Sequence, residues 1–588
     1  MTNHSNRRAA HLMWLATRGH RHLISLNAVL WFAYFLVPIA SGLLMQAVFH
    51  DLAGRHPADV VAWELQALII AVTVVGYLST YVRIFIDNRV QFGLAGRLRT
   101  NMLGYLLGRP GAETLPWSPG EAVSRFRDDV GLVTGFLFLP MLVAGGLGFG
   151  LVAFIIMVRI DTFITLAIVA PLLCVVIGTQ LLTTRLQRYR RSAREATGQV
   201  TGFLAEAVGA TLAVKVAGAE QHVLRRFSRL NAERKIATVR DQVFSLALEG
   251  AYSNTAQLGT GLLLLLAAHA MRAHRFSVGD FALFVSYLEW LTAIPLYLGR
   301  LLSGIATVAV SFDRMEELMH DGPEGALVRT DSVPAVDCSF VAGPTAGDGL
   351  QRLTVTGLTY HYPGTDQGID HVSFEIGQGE LVVVTGRIGS GKSTLLRVLL
   401  GLLPHQAGEI RWNGEPVEDL EQFMVPPRAA YTSQTPRLFS GTLRQNILLG
   451  LPEEPAMIAT ALRLAALAPD VSSMAQGLDT EVGRRGVQLS GGQIQRTAVA
   501  RMLVRTPDLL VVDDVSSALD VQTERILWQQ LLNQRQQTVV AVSHRRPILE
   551  RADRVIVLHE GTVAAAGTLA QVLERSREAR AICDGASL

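Results

Sequence analysis

Residues 386–393 read Gly-Arg-Ile-Gly-Ser-Gly-Lys-Ser, between the apolar run Leu381–Val384 and the sequence Thr394-Leu395-Leu396-Arg397-Val398-Leu399-Leu400. Strand, glycine loop and helix start in that order are the context a phosphate-binding P-loop needs. Glycines at 386, 389 and 391 let the backbone turn tightly, so that consecutive N–H groups and the helix N-terminus face phosphate oxygens. Lys392 then reaches the outer phosphates and Ser393 holds magnesium. The stretch predicts a nucleoside triphosphate site.

Around that loop the 588 residues fall into unlike halves, since the apolar residues (49% of the chain, mean hydropathy +0.30) crowd into the first 310. Length alone suggests about three or four units. A net charge of +3 and the absence of a Lys/Arg block argue against a nucleic-acid partner. Lys occurs only at 215, 235 and 392, which makes the P-loop lysine conspicuous. Cys174, Cys338 and Cys583 lack metal-ligand or CxxC spacing, so neither a disulfide framework nor a zinc site is expected.

A membrane helix needs roughly 20 mostly apolar residues. Six stretches qualify: about 23–49, 66–86, 131–158, 162–183, 244–270 and 279–306. The first follows Arg7, Arg8, Arg18 and Arg21 and exceeds a signal-peptide core, so it reads as an uncleaved span. Connections after the first, third and fifth spans are short. Those after the second and fourth are long and hold Arg89, Arg97, Arg99, Arg109, Arg125 and Arg127, then Arg185, Arg188, Arg190, Arg191, Arg194 and Arg240. The positive-inside bias puts these loops and both termini in the cytoplasm. Helical spacing between 185 and 240 carries spans four and five past the bilayer, with a short helix turned between Ala205 and Glu220.

Ionisable residues inside spans are functional candidates by default. Arg83 and Asp87, four apart, read as an interfacial ion pair. For Glu249 and Glu289 a substrate-accessible cavity and a structural interhelical hydrogen bond both stand open. The expected organisation is a cytoplasmic segment 1–22, a membrane domain 23–310, a linker 311–350 rich in Gly, Pro, Ala and Asp, and a nucleotide-binding domain 351–588. The fold class is multi-domain: an all-α domain of six transmembrane helices with long cytoplasmic extensions, then an α/β P-loop NTPase domain. The chain is expected to be a multi-pass protein of a bacterial plasma membrane.

Further motifs surround the P-loop. Tyr362 in Tyr-His-Tyr-Pro-Gly can stack on adenine. Gln434 follows, then Leu489-Ser490-Gly491-Gly492-Gln493, then the strand Leu509–Val512 ending in Asp513-Asp514. Ser517-Ala518-Leu519-Asp520 comes next, and His544 closes the apolar strand 538–543. Asp513 suits a strand-end carboxylate that holds magnesium opposite Ser393.

On these residues the chain resembles the ATP-binding cassette (ABC) transporters, of the exporter type with membrane and ATPase parts fused. Pro119–Val130 and Val214–Glu220 are similar to exporter cytoplasmic loops, and Thr480–Gly486 to the exporter X-loop. The resemblance implies that ATP and Mg2+ bind between two cassettes joined head to tail. Tyr362, Gly386, Arg387, Ile388, Gly389, Ser390, Gly391, Lys392, Ser393 and Thr394 of one cassette would face Ser490, Gly491, Gly492 and Gln493 of the other. Ser393, Gln434 and Asp513 would serve the metal, and Asp514, Gln434 and His544 the hydrolysis. Six spans and one cassette imply half a transporter, so a second subunit, paralogue or identical chain, is a required partner beside membrane lipid and an unidentified cargo. The implied function is ATP-driven export of a small molecule, lipid or peptide by alternating access.

Two positions depart from the family pattern. Asp514 stands where Glu is usual, and the lost methylene withdraws the carboxylate by roughly 1 Å, a misplacement that can cost about 100-fold in rate. Arg484 replaces the acidic residue usual in the X-loop. Two arrangements stay open: a heterodimer in which this chain lends its Leu-Ser-Gly-Gly-Gln to a fully catalytic paralogue, or a homodimer working with Asp. A weakly hydrolysing regulatory subunit and an exporter-fold importer are the alternative functions. A soluble DNA-repair ATPase is excluded by the six spans, and no peptidase-like domain is expected ahead of the first span.

Overall fold

The computed structural model describes residues 2–53, 60–109, 111, 117, 119–273, 275–319, 322, 325–329, 349–483, 489–533 and 537–583. Its contacts divide into two compact units, Met1–Leu106 with Trp117–Val333, and Leu107–Pro116 with Pro334–Leu588.

The first unit is helical. After Thr2–Thr17, six long helices carry the six apolar stretches: Arg21–Ala53, Val60–Leu107, Leu139–Ile160, Thr162–Gly209, Glu220–Arg272 and Val278–Leu318. Among the described residues, four helical stretches, Arg7–Leu52, Trp63–Leu107, Gly120–Ile160 and Val278–Leu318, are long and apolar enough by composition to cross a membrane. The fourth and fifth helices have 48 and 53 residues. At 1.5 Å per residue they reach about 70 and 80 Å, against a hydrocarbon layer of about 30 Å. Tyr189 and Phe244 meet edge to face at 5.4 Å between them. The short helix joining them is Thr211–Val216, since the fourth helix runs on to Gly209.

The third span carries a turn at 137–138, between the helices Val130–Phe136 and Leu139–Ile160. Pro140, near the second helix's start, has no N–H to donate and its ring excludes the carbonyl four residues back, so the helix restarts there.

The membrane unit's core is aromatic where helices one, three and six meet. Phe35, Phe149, Tyr287 and Trp290 are linked by ring contacts of 5.7–6.5 Å, and the Tyr287 hydroxyl donates to the Ile39 carbonyl at 3.0 Å. A β-carbon on Gly145 would lie 2.5 Å from the Phe35 ring, so glycine sets that approach. Arg83 does pair with Asp87 at 2.9 Å, and it also lies 3.9 Å over the Trp31 ring, while Asn27 donates to Asp87 at 2.6 Å. Glu249 and Glu289 are exposed on the protomer.

In the second unit the strands are β1 (Arg352–His361), β2 (Gly368–Gly377), β3 (Leu381–Gly386), β4 (Ala407–Trp412), β5 (Glu415–Pro416), β6 (Ala429–Thr432), β7 (Gly441–Thr442), β8 (Glu481–Val482), β9 (Leu509–Asp513), β10 (Thr538–Val542), β11 (Arg554–His559) and β12 (Thr562–Gly567). They form an antiparallel sheet β2-β1-β4-β5, a sheet β12-β11-β3-β10-β9-β6 and the pair β7-β8. In the second sheet all neighbours are parallel except β11 and β12. β3, β9 and β10 are buried along their whole length, which is why each reads as an unbroken apolar run. Their register pairs Val542 with both Val384 and Asp513. The chain therefore leaves three adjacent strands at one edge, where open parallel sheets place their ligand sites.

Candidate functional site

The loop after β3 is built on glycine. Gly386 has φ +149°, and a β-carbon there would stand 2.2 Å from the Leu558 carbonyl. Gly391, at φ +96°, would meet the Gly368 carbonyl at 2.8 Å and is the residue from which the helix Lys392–Leu399 starts. Lys392 folds back across the loop and donates through Nζ to the carbonyls of Gly386 (2.9 Å) and Arg387 (2.6 Å). Burial lowers its pKa, while the charges of Asp513 and Asp514 pull the other way. Thr394, two residues into the helix, shares a 3.4 Å hydrogen bond with the Tyr362 hydroxyl, and Tyr362 packs edge-on against Tyr360 at 5.2 Å.

The neighbouring strands bring the carboxylates. Asp513 ends β9 and is 3% exposed. The Tyr431 hydroxyl donates to its Oδ2 at 3.4 Å, and burial, then the nearby Asp513 charge, pushes that phenol up to about 12. Asp514 adopts φ +46°, a left-handed conformation that Asp tolerates better than most residues. Its carboxylate accepts from Gln434 Nε2 at 3.4 Å. Burial holds the Asp514 carboxyl above the usual carboxylate range; the Gln434 hydrogen bond opposes this and Asp513 adds to it. His544 follows β10, with Nδ1 and the Thr385 hydroxyl 3.1 Å apart. Burial, then the Lys392 charge, lowers its pKa.

Ser490 caps the helix Gly491–Leu503: its hydroxyl accepts from the Gln493 N–H at 3.2 Å, and the Gln493 side chain accepts from the Ser490 N–H at 3.0 Å. Gln493 also donates to Asp470 at 2.9 Å, beside the Arg496–Asp470 pair at 2.5 Å. A β-carbon on Gly492 would come within 3.0 Å of the Ala518 carbonyl. Thus the P-loop, Asp513, Asp514, Gln434 and His544 are gathered at one sheet edge. Among the described residues no hydrogen bond links Ser490, Gly491 or Gly492 to them. Arg484 lies outside the described residues, as do 330–348 of the expected linker and 112–116 between the second and third spans.

Sequence reasoning missed several supporting residues. Gln495, 4% exposed, donates to the Gln434 carbonyl at 3.3 Å and to Ser517 Oγ at 2.9 Å, and accepts from the Ala518 N–H at 3.2 Å. It joins three motifs that are separate in the chain. The available signal was an amide in an apolar helix two residues after Gln493. Arg545 pairs with the buried Glu524 and donates to the Ser516 carbonyl at 3.2 Å, holding the residue beside His544. Nothing local distinguishes that pair from a surface one.

The residues present fit a nucleotide's phosphates and a hard divalent cation: a cradle that a β-carbon would fill, one buried ammonium, and a hydroxyl and a carboxylate on flanking elements. Comparison with known proteins agrees. The family model for the ABC transporter transmembrane region matches residues 23–294, and that for the ABC transporter proper matches residues 369–517. The chain is 28% identical over 552 residues to an ATP-dependent lipid A-core flippase of Chromobacterium violaceum, covering 92% of this chain and 90% of that one. It is 29% identical over 513 residues to the one of Pseudomonas fluorescens, covering 85% and 82%. A solved structure of a bacterial Atm1-family ABC exporter with ATP bound shares the fold at a TM-score of 0.75, with 23% identity over 97% of this chain and 99% of that one. With a membrane region and an ATP-binding cassette on one chain, the protein belongs to the ABC transporters and is an ATPase coupled to export across a membrane.

Proposed function

We propose that the chain is one half of a dimeric exporter that moves an amphipathic lipid across a bacterial inner membrane, with both termini in the cytoplasm. The observation that carries this is the edge of the parallel sheet where Gly386–Ser393, Asp513, Asp514, Gln434 and His544 converge, on a chain that also carries long apolar helices. Likeness to lipid A-core flippases along most of their length supports a lipid cargo.

In this reading the loop amides and Lys392 hold the outer phosphates, and Ser393 and Asp513 hold Mg2+. When bound, the metal neutralises charge on the phosphate oxygens. Asp514 accepts a proton from the attacking water, and Gln434 keeps its carboxylate oriented. Thr385 fixes the His544 ring through Nδ1, leaving Nε2 for the γ-phosphate. Tyr362 flanks the base. Ser490, Gly491, Gly492 and Gln493 close the site of the partner cassette, where a hydroxyl and bare backbone reach phosphate oxygens that larger side chains would be held away from. Domains follow the boundaries 23–310 and 351–588, and Glu249 and Glu289 face the transport path.

A second reading, an ATP-binding and weakly hydrolysing half of a heterodimer, is favoured by Asp514, whose short carboxylate meets Gln434 only at 3.4 Å. One experiment separates the two. The full chain is purified alone, its oligomeric state is measured, and its ATPase is compared with Asp514→Glu and Asp514→Asn in vesicles with and without lipid A. The homodimeric exporter gives a dimer whose ATPase rises with lipid A and falls about 100-fold in Asp514→Asn. A monomer with negligible turnover that Asp514→Glu raises favours the heterodimer. No response to any lipid overturns the cargo assignment, and unchanged transport after neutralising Glu249 and Glu289 together removes them from the path.

A further inference from the structure

Residues 125–129 leave the α-helical register and form a single π-helical turn between Pro119–Ser124 and Val130–Phe136. Such turns are rare and concentrate at functional sites. Arg125 and Asp129 stand at its two ends and share one face. Each is only 2% exposed, an unusual burial for a guanidinium and a carboxylate. Arg125 Nη2 donates to Glu317 at 3.1 Å and to Glu121 at 3.3 Å, and its guanidinium lies 4.4 Å over the Trp117 ring. Asp129 accepts from the Ser311 hydroxyl at 3.0 Å and pairs with Arg314 at 3.3 Å.

The partners Ser311, Arg314 and Glu317 recur every third residue along the last turns of the sixth helix, and they run antiparallel to the π turn. The two ion pairs also have opposite polarity: a cation on the turn meets an anion on the helix, and then the reverse. Sliding the sixth helix by three residues would set Arg125 against Arg314 and leave Asp129 facing Ser311 and the apolar Val308, with no cation. Only one register satisfies both pairs, and like charges penalise the neighbouring one. Stability is a poor reason for such an arrangement. Arg125 Nε and Nη1 are buried without a hydrogen-bond partner while the Glu317 carboxylate is exposed, and ion pairs with one buried member add little net stability although breaking one leaves a buried charge unpaired. Setting register is the use they serve best.

Neighbouring contacts extend the same attachment. Arg8 pairs with Glu316 at 3.0 Å, Arg99 donates to the Phe126 carbonyl at 3.0 Å, and Asn101 donates to the carbonyls of Leu327 (2.9 Å) and Arg329 (3.2 Å). Ser311–Glu317 and Ala326–Arg329 are thereby fastened to the rest of the membrane unit.

We infer that Arg125–Glu317 and Asp129–Arg314 form a register latch that makes the 119–136 segment and the end of the sixth helix move as one piece, and that Arg125 is a positioning residue for coupling ATP hydrolysis to transport. The inference rests on the reading of the chain as an ATP-driven exporter. Its test uses the full chain in vesicles of phosphatidylethanolamine and phosphatidylglycerol, with Glu121→Gln throughout so that a glutamate placed at 125 meets no second carboxylate. Arg125→Glu, Glu317→Arg and the double swap are compared. Spin labels go on Arg127→Cys and Val310→Cys, both exposed positions, with Cys174, Cys338 and Cys583 replaced by Ser. The latch predicts a narrow label distance with and without ATP, broadened by either single variant and narrowed again by the swap. It also predicts that labelled phosphatidylethanolamine moved per ATP hydrolysed drops at least about tenfold in the single variants and returns in the swap, with basal ATPase held within about twofold. Single variants with an unchanged label distance, or a swap that restores neither readout, overturn the latch. If the unswapped chain moves neither labelled phosphatidylethanolamine nor labelled lipid A, the cargo reading is overturned instead, and the label distances, which need no cargo, still decide the latch.

Discussion

Gln434 donates through Nε2 to Oδ2 of Asp514 at 3.4 Å, joining residues that lie 80 apart in sequence. Asp514 stands in a left-handed conformation, and burial disfavours its ionised form. The contact therefore bears on two things at once, where the carboxylate points and when it is charged.

A pH prediction follows from the direction of that shift. A general base works ionised, and burial raises the Asp514 pKa, so its charge is lost at a higher pH than that of an exposed aspartate. The acid limb of kcat/KM is expected to have its midpoint above the ordinary carboxylate value of 3.8. Gln434→Ala removes a hydrogen bond that favours the ionised form, so the midpoint should move further up. A midpoint that stays put in this variant would mean that the limb reports another group.

The loop glycines should not be equivalent. Gly386→Ala and Gly391→Ala place a β-carbon 2.2 Å and 2.8 Å from backbone carbonyls, which cannot yield without moving a strand. Gly389, at φ +85°, has nothing within 4 Å of its added carbon, so Gly389→Ala meets backbone strain alone, about 1–2 kcal/mol. Binding of a fluorescent ATP analogue should be lost in the first two and weakened in the third. Equal losses at all three positions would rule out the steric account.

Ser490→Ala separates a helix cap from a ligand contact. Loss of the cap costs about 1 kcal/mol of stability, read from denaturant unfolding of the full chain. If the same hydroxyl also closes the partner's site, ATPase falls much further, by about 100-fold, as when one oxyanion donor is removed. A fall no larger than the stability loss accounts for would argue against the composite site.

Gln495→Ala removes three hydrogen bonds, at roughly 1 kcal/mol each, and should lower the stability of the folded chain by about 2–3 kcal/mol. Gln495→Met refills the volume. If Gln495 supports Gln434, the methionine variant should recover stability better than it recovers kcat, with KM for ATP little changed. Parallel recovery of both would mark the residue as packing alone.

The site's components were legible in sequence because each is local chemistry. A glycine loop between strand and helix, a Ser-Gly-Gly-Gln helix start, and buried strands ending in Asp513 and in Ser543-His544 declare themselves within a few residues. Long apolar runs likewise mark the membrane helices, since hydrocarbon demands about 20 such residues whatever else the chain does.

What only the tertiary structure decided are the partnerships between distant residues. The alignment of β3, β9 and β10 puts Asp513 and His544 beside the P-loop, and helix packing seats Gln495 between Gln434 and Ser517. Arg125 lies 192 residues from Glu317, and in the chain it is one arginine among many in a loop. Its burial depends on a π turn and on the register of the sixth helix, and neither leaves a mark in local periodicity. Composition and spacing report what a residue can do, whereas strand register and helix packing decide which partner it does it with.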